Sequence, residues 1–327
     1  MDKRLEQLKY WLSESLNHQI HSIEPASADA SFRRYFRAHT DHGTIVIMDA
    51  PPDKEDTKPF IASAEALAKL GVHTPAIEAR DSQQGFLVLE DLGSRTYLNE
   101  LRSSPNELYS AAIDALLIIQ GGKNSSKFAP PPYDKKKLVE EMSLFSDWFI
   151  QRHLGENLND SQHAVWLETK QVLAQACLEQ PQTWVHRDYH SRNLMITENN
   201  SPGVIDFQDI VVGPIGYDLA SIFKDCYIEW PRKQQQAWLK EYHEKARTKL
   251  KLADFSLEQL VRWVDLAGLQ RHLKVLGIFC RLSYRDKKES YLADLPLVAK
   301  YVIEVLDIYP ELNDFKNHFQ DSINKAR

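Results

Sequence analysis

A chain of 327 residues is too long for one ordinary compact core and points to one large or two mid-sized domains. With 43% apolar and 26% charged residues it sits near the globular average, which excludes disorder and fibrous repeats. A formal charge of −6, with no basic stripe interleaved with aromatics, argues against binding a nucleic-acid backbone. The three cysteines, Cys177, Cys226 and Cys280, are odd in number and far apart, which excludes a disulfide framework or paired metal-ligand spacing and fits a reducing compartment.

At the N-terminus, Leu5, Leu8, Leu12 and Leu16 recur at helical intervals among charges, which predicts an amphipathic surface helix and not a signal peptide. Between residues 20 and 90 the runs SFRRYFRA, GTIVIMDAP, AIEARD and GFLVLED read as strands, interrupted by one helix over 57–70 that Gly71 closes. A first lobe, residues 1–91, is therefore expected to be an antiparallel sheet with one helix packed on it. Beyond Asp91 the pattern becomes helical, over 106–120, 135–153, 161–179, 232–249 and 257–282, so a second lobe, 92–327, is expected to be mainly helical. The fold class is α+β with two lobes. GGKNSSKFAPPPYD lacks the upstream glycine of a phosphate loop and carries Asn124 after Lys123, so it reads as a linker. No apolar run reaches the roughly 18–20 residues that span a bilayer, and a cytoplasmic protein without membrane or nucleic-acid partners is expected.

Two short apolar strands, 193–197 and 203–207, joined by ENNSPG, predict a hairpin within the helical region. Around it lie VHRDYHSRNLMI and GVIDF, with Asn193 five residues after Asp188 and Asp206 beyond the turn. Phosphoryl transfer needs a carboxylate at the acceptor hydroxyl and oxygen ligands for the magnesium on the nucleotide phosphates. Asp188 fits the first role, and Asn193 with Asp206 the second, the hairpin bringing the three oxygens toward one cleft. His186 is expected to be a buried scaffold group, and Asp218 to accept backbone N–H bonds from the loop.

HRDYHSRN and IDF resemble the catalytic and metal loops of eukaryotic-like kinases and aminoglycoside phosphotransferases. The resemblance implies a bilobal protein-kinase-like fold using ATP and Mg2+. Pro214, Gly216 and Asp218 in GPIGYDLASIF resemble the segment after the metal aspartate in aminoglycoside and choline kinases, and no activation loop or APE motif follows, which implies a small-molecule acceptor. His190 and Arg192 occupy positions where related kinases place groups near phosphate, and Gln208 and Asp209 are assigned with them to phosphate or substrate. On the nucleotide side, small residues of PASADASFRRYFR, among them Ser31, are expected to let amides approach phosphate. Alternation puts Arg33 and Arg37 on one strand face and Arg34 with Phe32 and Phe36 on the other. The lysine expected at the end of the next strand is replaced by Met48, which leaves either an arginine such as Arg33 or Arg34 in its place, paired with Glu65, or a catalytically silent nucleotide-binding module. The backbone of Glu90 and Leu92 is expected to meet adenine.

ADASFRRYFR, VIMDAPP, FLVLEDLG, VIDFQDIVVGPIGYDLAS and GLQRHLKVLGIFCRL resemble the anomeric N-acetylmuramate/N-acetylglucosamine kinases of bacterial cell-wall recycling. The resemblance implies phosphorylation of the C1 hydroxyl of an amino sugar, and MDAPP matches the family's own form, so Met48 does not speak against activity. Arg271, His272 and Arg281 are candidates for the lactyl carboxylate. An aminoglycoside would need clustered carboxylates; a choline-like acceptor would need an aromatic cage, for which Trp230, Trp263, Tyr217 and Tyr227 are available.

Overall fold

A computed structural model describes residues 2–16, 19–28 and 32–326. In chain order the elements are α1 (Lys3–Ser15), β1 (Ile20–Ala28), β2 (Arg34–Thr40), β3 (Gly43–Asp49), α2 (Lys58–Leu70), β4 (Ile77–Asp81), β5 (Phe86–Glu90), α3 (Tyr97–Glu100), α4 (Pro105–Gln120) and α5 (Lys135–Leu144), which runs into a π-helical segment, Phe145–His153. There follow α6 (Asp160–Leu178), β6 (Gln182–Val185), β7 (Leu194–Met195), β8 (Gly203–Val204), β9 (Val211–Pro214), α7 (Gly216–Phe223), α8 (Arg232–Lys249), α9 (Leu257–Tyr284), α10 (Leu295–Ile308) and α11 (Asn313–Asn324). The chain divides into two compact units. The first runs to Thr96 and takes in Ser126–Phe128 and Leu194–Asp209; the second comprises Tyr97–Ser125, Ala129–Asn193 and everything from Ile210 onward.

In the first unit Asp2 caps α1 by accepting the backbone N–H groups of Arg4 and Leu5. The sheet is antiparallel, in the order β1-β2-β3-β5-β4. Strand alternation puts Phe36 and Ala38, Ile45 and Ile47, and Phe86 and Val88 into one cluster with Leu8, Trp11 and Leu12 of α1. The N-terminal helix thus supplies a third of this core's buried residues. Gly71, at φ 95°, ends α2, whose buried Phe60 lies 5.0 Å from the ring of Phe207. The β7–β8 hairpin joins this unit through the N–H of Ile196 donating to the Arg95 carbonyl, 2.8 Å, and that of Val204 to the His73 carbonyl, 2.7 Å.

The second unit is built around α9, whose start is fixed by reciprocal hydrogen bonds between Ser256 and Gln259. Its sides pack against α5, α6, α7, α10 and the π-helical segment. The helix expected over 135–153 begins as predicted but widens to π geometry at Phe145. α7, α10 and α11 were not anticipated, and neither was the antiparallel β6–β9 pair that leads into His186. All three cysteines are buried and free. Among the described residues no helix is long and apolar enough to cross a membrane.

Gly277 marks where α9 meets the end of α5. A Cβ added there would stand 2.1 Å from the Leu144 carbonyl oxygen and 2.2 Å from its carbon. Helix propensity favours alanine over glycine by about 1 kcal/mol, but overlap with backbone is not relieved by a rotamer change. Gly277→Ala is therefore expected to cost about 3 kcal/mol net, read as a lower urea midpoint. An unchanged midpoint would show that the two helices separate freely here.

Candidate active site

Asp188 sits in the loop after β6, in the second unit. The loop turns at Arg187, whose φ of 78° is unusual for a side chain of that size. Asp218 of α7 holds the turn, accepting the backbone N–H of His186 at 2.7 Å and of Arg187 at 2.9 Å. Burial pushes its carboxyl up, to about 7, although these two donors pull it the other way. Asp225 plays the same part further on, accepting the N–H groups of Ser191, 2.9 Å, and Tyr227, 3.0 Å. Asn193 donates Nδ2 to the Asp188 carbonyl at 3.0 Å, and of its side-chain atoms the amide oxygen is the one whose chemistry suits a cation. His186 is fully buried.

Beneath the loop lies a charge cluster that sequence reading missed. Arg187 donates to Glu141 Oε1 at 2.5 Å, Lys274 Nζ is 3.1 Å from Glu141 Oε2, and the hydroxyl of Tyr133 also donates to Glu141. Lys274 reaches the Tyr217 hydroxyl at 3.2 Å. Burial alone would raise the pKa of Asp188, but Lys274, His190, Arg271 and Arg187 outweigh it and hold the carboxyl below its ordinary value. The group stays ionised at neutral pH and able to accept a proton. The available signal was Lys274 itself, a lysine inside the apolar run LQRHLKVLGIFC.

Asp206 belongs to the first unit, just after β8. Its φ of 63° is left-handed, a conformation aspartate tolerates better than most residues, and Gln208 Nε2 donates to its Oδ1 at 2.7 Å. Asp209 is exposed. Among the described residues no group of three or more His, Cys, Asp or Glu side chains is placed to hold a metal alone.

On the nucleotide side, Ser31 lies outside the described residues. Arg33 Nε pairs with Glu55 at 3.3 Å. Arg34 pairs with the fully buried Asp49, Nε to Oδ2 2.9 Å, and with Asp2, while Arg4 reaches the other oxygen of Asp49 at 2.6 Å. Arg37 forks onto Asp91 at 2.6 and 2.9 Å. The expected partner of an arginine from SFRRYFR, Glu65, instead pairs with Arg80 at 3.0 Å on the exposed side of α2, because that helix directs it toward β4. The carboxylate of Glu90 is held by His73, 3.2 Å, and by the N–H of Ala76, 3.2 Å. Its own N–H donates to the Ala76 carbonyl, and Leu92 is buried.

The trio Arg271, His272 and Arg281 does not share a face: adjacent helical residues point about 100° apart. His272 is fully buried, with Nε2 2.9 Å from the Lys224 carbonyl and its ring on Tyr301. Burial holds its pKa well below 6.5, so the folded chain leaves it neutral while the unfolded chain protonates it. Stability is therefore lost as pH falls below about 6.5, by up to about 1.4 kcal/mol per pH unit for this group. His272→Gln is expected to flatten that acid limb in urea midpoints taken at pH 7.5 and 5.5; identical slopes would mean that the folded chain takes up the proton. The aromatics available for a choline-like cage are engaged in separate contacts, Tyr227 with His190, Phe279 and Arg192. Trp230 donates to Tyr109 in a cluster with Trp238, Trp263 packs on Phe255, and Tyr217 packs on Tyr133.

Residues 22–255 match the model of the phosphotransferase enzyme family. The chain belongs to that family. This phosphotransferase is 43% identical over 322 residues, 95% of its length and 94% of the other's, to a Pseudomonas putida protein named N-acetylmuramate/N-acetylglucosamine kinase, and 38% identical to a Neisseria meningitidis protein of the same name, covering 95% and 93%. Its fold is like that of the choline kinase LicA from Streptococcus pneumoniae, TM-score 0.64 at 15% identity over 93% and 99% of the two chains. It is also like that of an ADP-bound aminoglycoside phosphotransferase, APH(2'')-Ib, TM-score 0.59 at 18% identity over 92% and 97%. The phosphotransferase is thus a small-molecule kinase that uses a nucleotide, with the kinase-like α+β fold expected from HRDYHSRN and IDF.

Proposed function

We propose that this phosphotransferase moves the γ-phosphoryl group of ATP, with magnesium, onto the anomeric hydroxyl of N-acetylmuramate or N-acetylglucosamine, in the cytoplasm and in peptidoglycan recycling. The near-full-length likeness to proteins bearing that name carries the choice of acceptor. Asp188, kept ionised by the cations around it, takes the proton of the hydroxyl as its oxygen bonds to the γ-phosphorus. The bond from that phosphorus to the bridging oxygen breaks, and ADP leaves with the electron pair. The amide oxygen of Asn193 and the carboxylate of Asp206 are hard oxygen donors that suit magnesium; when bound, the ion neutralises charge on the phosphates. Residues 1–91 would carry the nucleotide, with Arg33, which also pairs with Glu55, as the cation of SFRRYFR for phosphate and the backbone of Glu90 and Leu92 for adenine. Residues 92–327 would carry the catalytic loop and the acceptor, with His190 and Arg192 beside phosphate or sugar.

The test is ATP consumption with magnesium against N-acetylmuramate, N-acetylglucosamine, an aminoglycoside and choline, with phosphorus NMR locating the transferred group. Phosphate on the anomeric oxygen of an amino sugar is the expected result. Transfer to another acceptor would discard the sugar and keep the kinase.

A further inference from the structure

Most charged groups around Asp188 already have partners. Arg187 and Lys274 are held by Glu141. Asp218 and Asp225 accept backbone N–H groups of the loop. Arg192 lies 3.5 Å over the ring of Tyr227, with Asp294 at 3.9 Å.

Arg271 differs. It is only 4% exposed, yet its one hydrogen bond goes to Cys226 Sγ, a weak acceptor, at 3.4 Å; among the described residues no carboxylate bonds it. A guanidinium has five donors, and one weak bond leaves most of them for solvent or a ligand. Nδ1 of His190, two residues from Asp188, is also buried without a partner among the described residues, and the His190 ring stands 5.3 Å from that of Tyr227, the neighbour of Cys226. Both groups lie in the same unit as Asp188, and an oxyanion arriving with a ligand would suit Arg271 and, in the tautomer protonated at Nδ1, His190. The transferred phosphoryl group is one source, but a carboxylate on the acceptor is the other, and N-acetylmuramate carries one on its lactyl arm while N-acetylglucosamine does not.

We propose that Arg271 binds the carboxylate of the acceptor and gives the enzyme its preference for a carboxylated amino sugar over the plain one. The inference rests on the amino-sugar reading above. Arg271 adds to the field that holds Asp188 ionised, but among the described residues it hydrogen-bonds no protein carboxylate, and that leaves its donors for a ligand.

The test compares kcat/KM for N-acetylmuramate, its lactyl methyl ester and N-acetylglucosamine, in the wild type and in Arg271→Gln, with thermal melts to check folding. The wild type is expected to prefer the free acid over the ester by about 10- to 100-fold, the range for a hydrogen bond to a charged group. In Arg271→Gln that ratio should fall to about one, and Arg271→Lys should restore part of it. An unchanged ratio in the variant, with all three acceptors slowed alike, would assign Arg271 to the phosphoryl group and overturn the proposal. Equal use of acid and ester by the wild type would overturn it too, and needs no variant to fold. A wild type that phosphorylates none of the three overturns the amino-sugar reading itself, and this inference with it.

Discussion

Asp188→Asn is expected to fold and bind nucleotide as the wild type does, and to lower kcat by about 10²- to 10⁴-fold. The substitution keeps the shape of the side chain, and the loop is held by atoms other than its carboxylate: the Asp188 carbonyl receives Asn193 Nδ2 and the His190 N–H, while Asp218 fixes the turn. What is lost is the negative charge that Lys274, Arg271 and Arg187 help to hold in place. Because the transition state of phosphoryl transfer is loose, the carboxylate in the proposed role would act mainly by orienting the hydroxyl and receiving its proton late. Its lowered pKa is therefore compatible with the role. Steady-state kinetics with saturating ATP and magnesium, beside a thermal melt, decide the matter; wild-type turnover in a folded variant would remove Asp188 from the mechanism.

Asp206→Asn is expected to lower kcat by about 10²- to 10³-fold and to move half-activation to higher magnesium, since one charged oxygen ligand is removed while an oxygen of similar reach remains. Asparagine is chosen over alanine because the position has φ 63°, which asparagine accepts and alanine resists. The side chain is exposed, so stability should change by about 0.5 kcal/mol at most. A magnesium titration of the rate separates this from a folding defect. Full activity at ordinary magnesium would strike Asp206 from the ligand set.

The local placement of the residues on which both predictions rest was legible from their spacing along the chain: Asp188 and Asn193 share one loop, and Asp206 follows one hairpin later. Four of the five strands of the sheet were legible as short strand-like runs between turn signals, whereas β1, with Pro25 in its middle, was not. The Glu141 cluster was not. Its members come from α5, the catalytic loop and α9, with Lys274 133 residues after Glu141, and no local period connects them. The partners of Arg34 and Arg37 were hidden likewise. Alternation gives the face of a strand, but not that Asp49 and Asp91 wait there. Arg271 and His272 show the converse error: neighbours in sequence were grouped, whereas the helix sends one toward Asp188 and the other toward Lys224.

The buried thiols supply a built-in probe of motion. Burial pushes Cys177 and Cys280 up to about 12 and Cys226 to about 11, so near neutral pH each is both out of reach and almost wholly in its unreactive protonated form. Alkylation by a maleimide must then wait for local opening. The three residues sit in α6, in α9 and just after α7, so their separate labelling rates, resolved by peptide mass, would time the loosening of three parts of one core in the native protein.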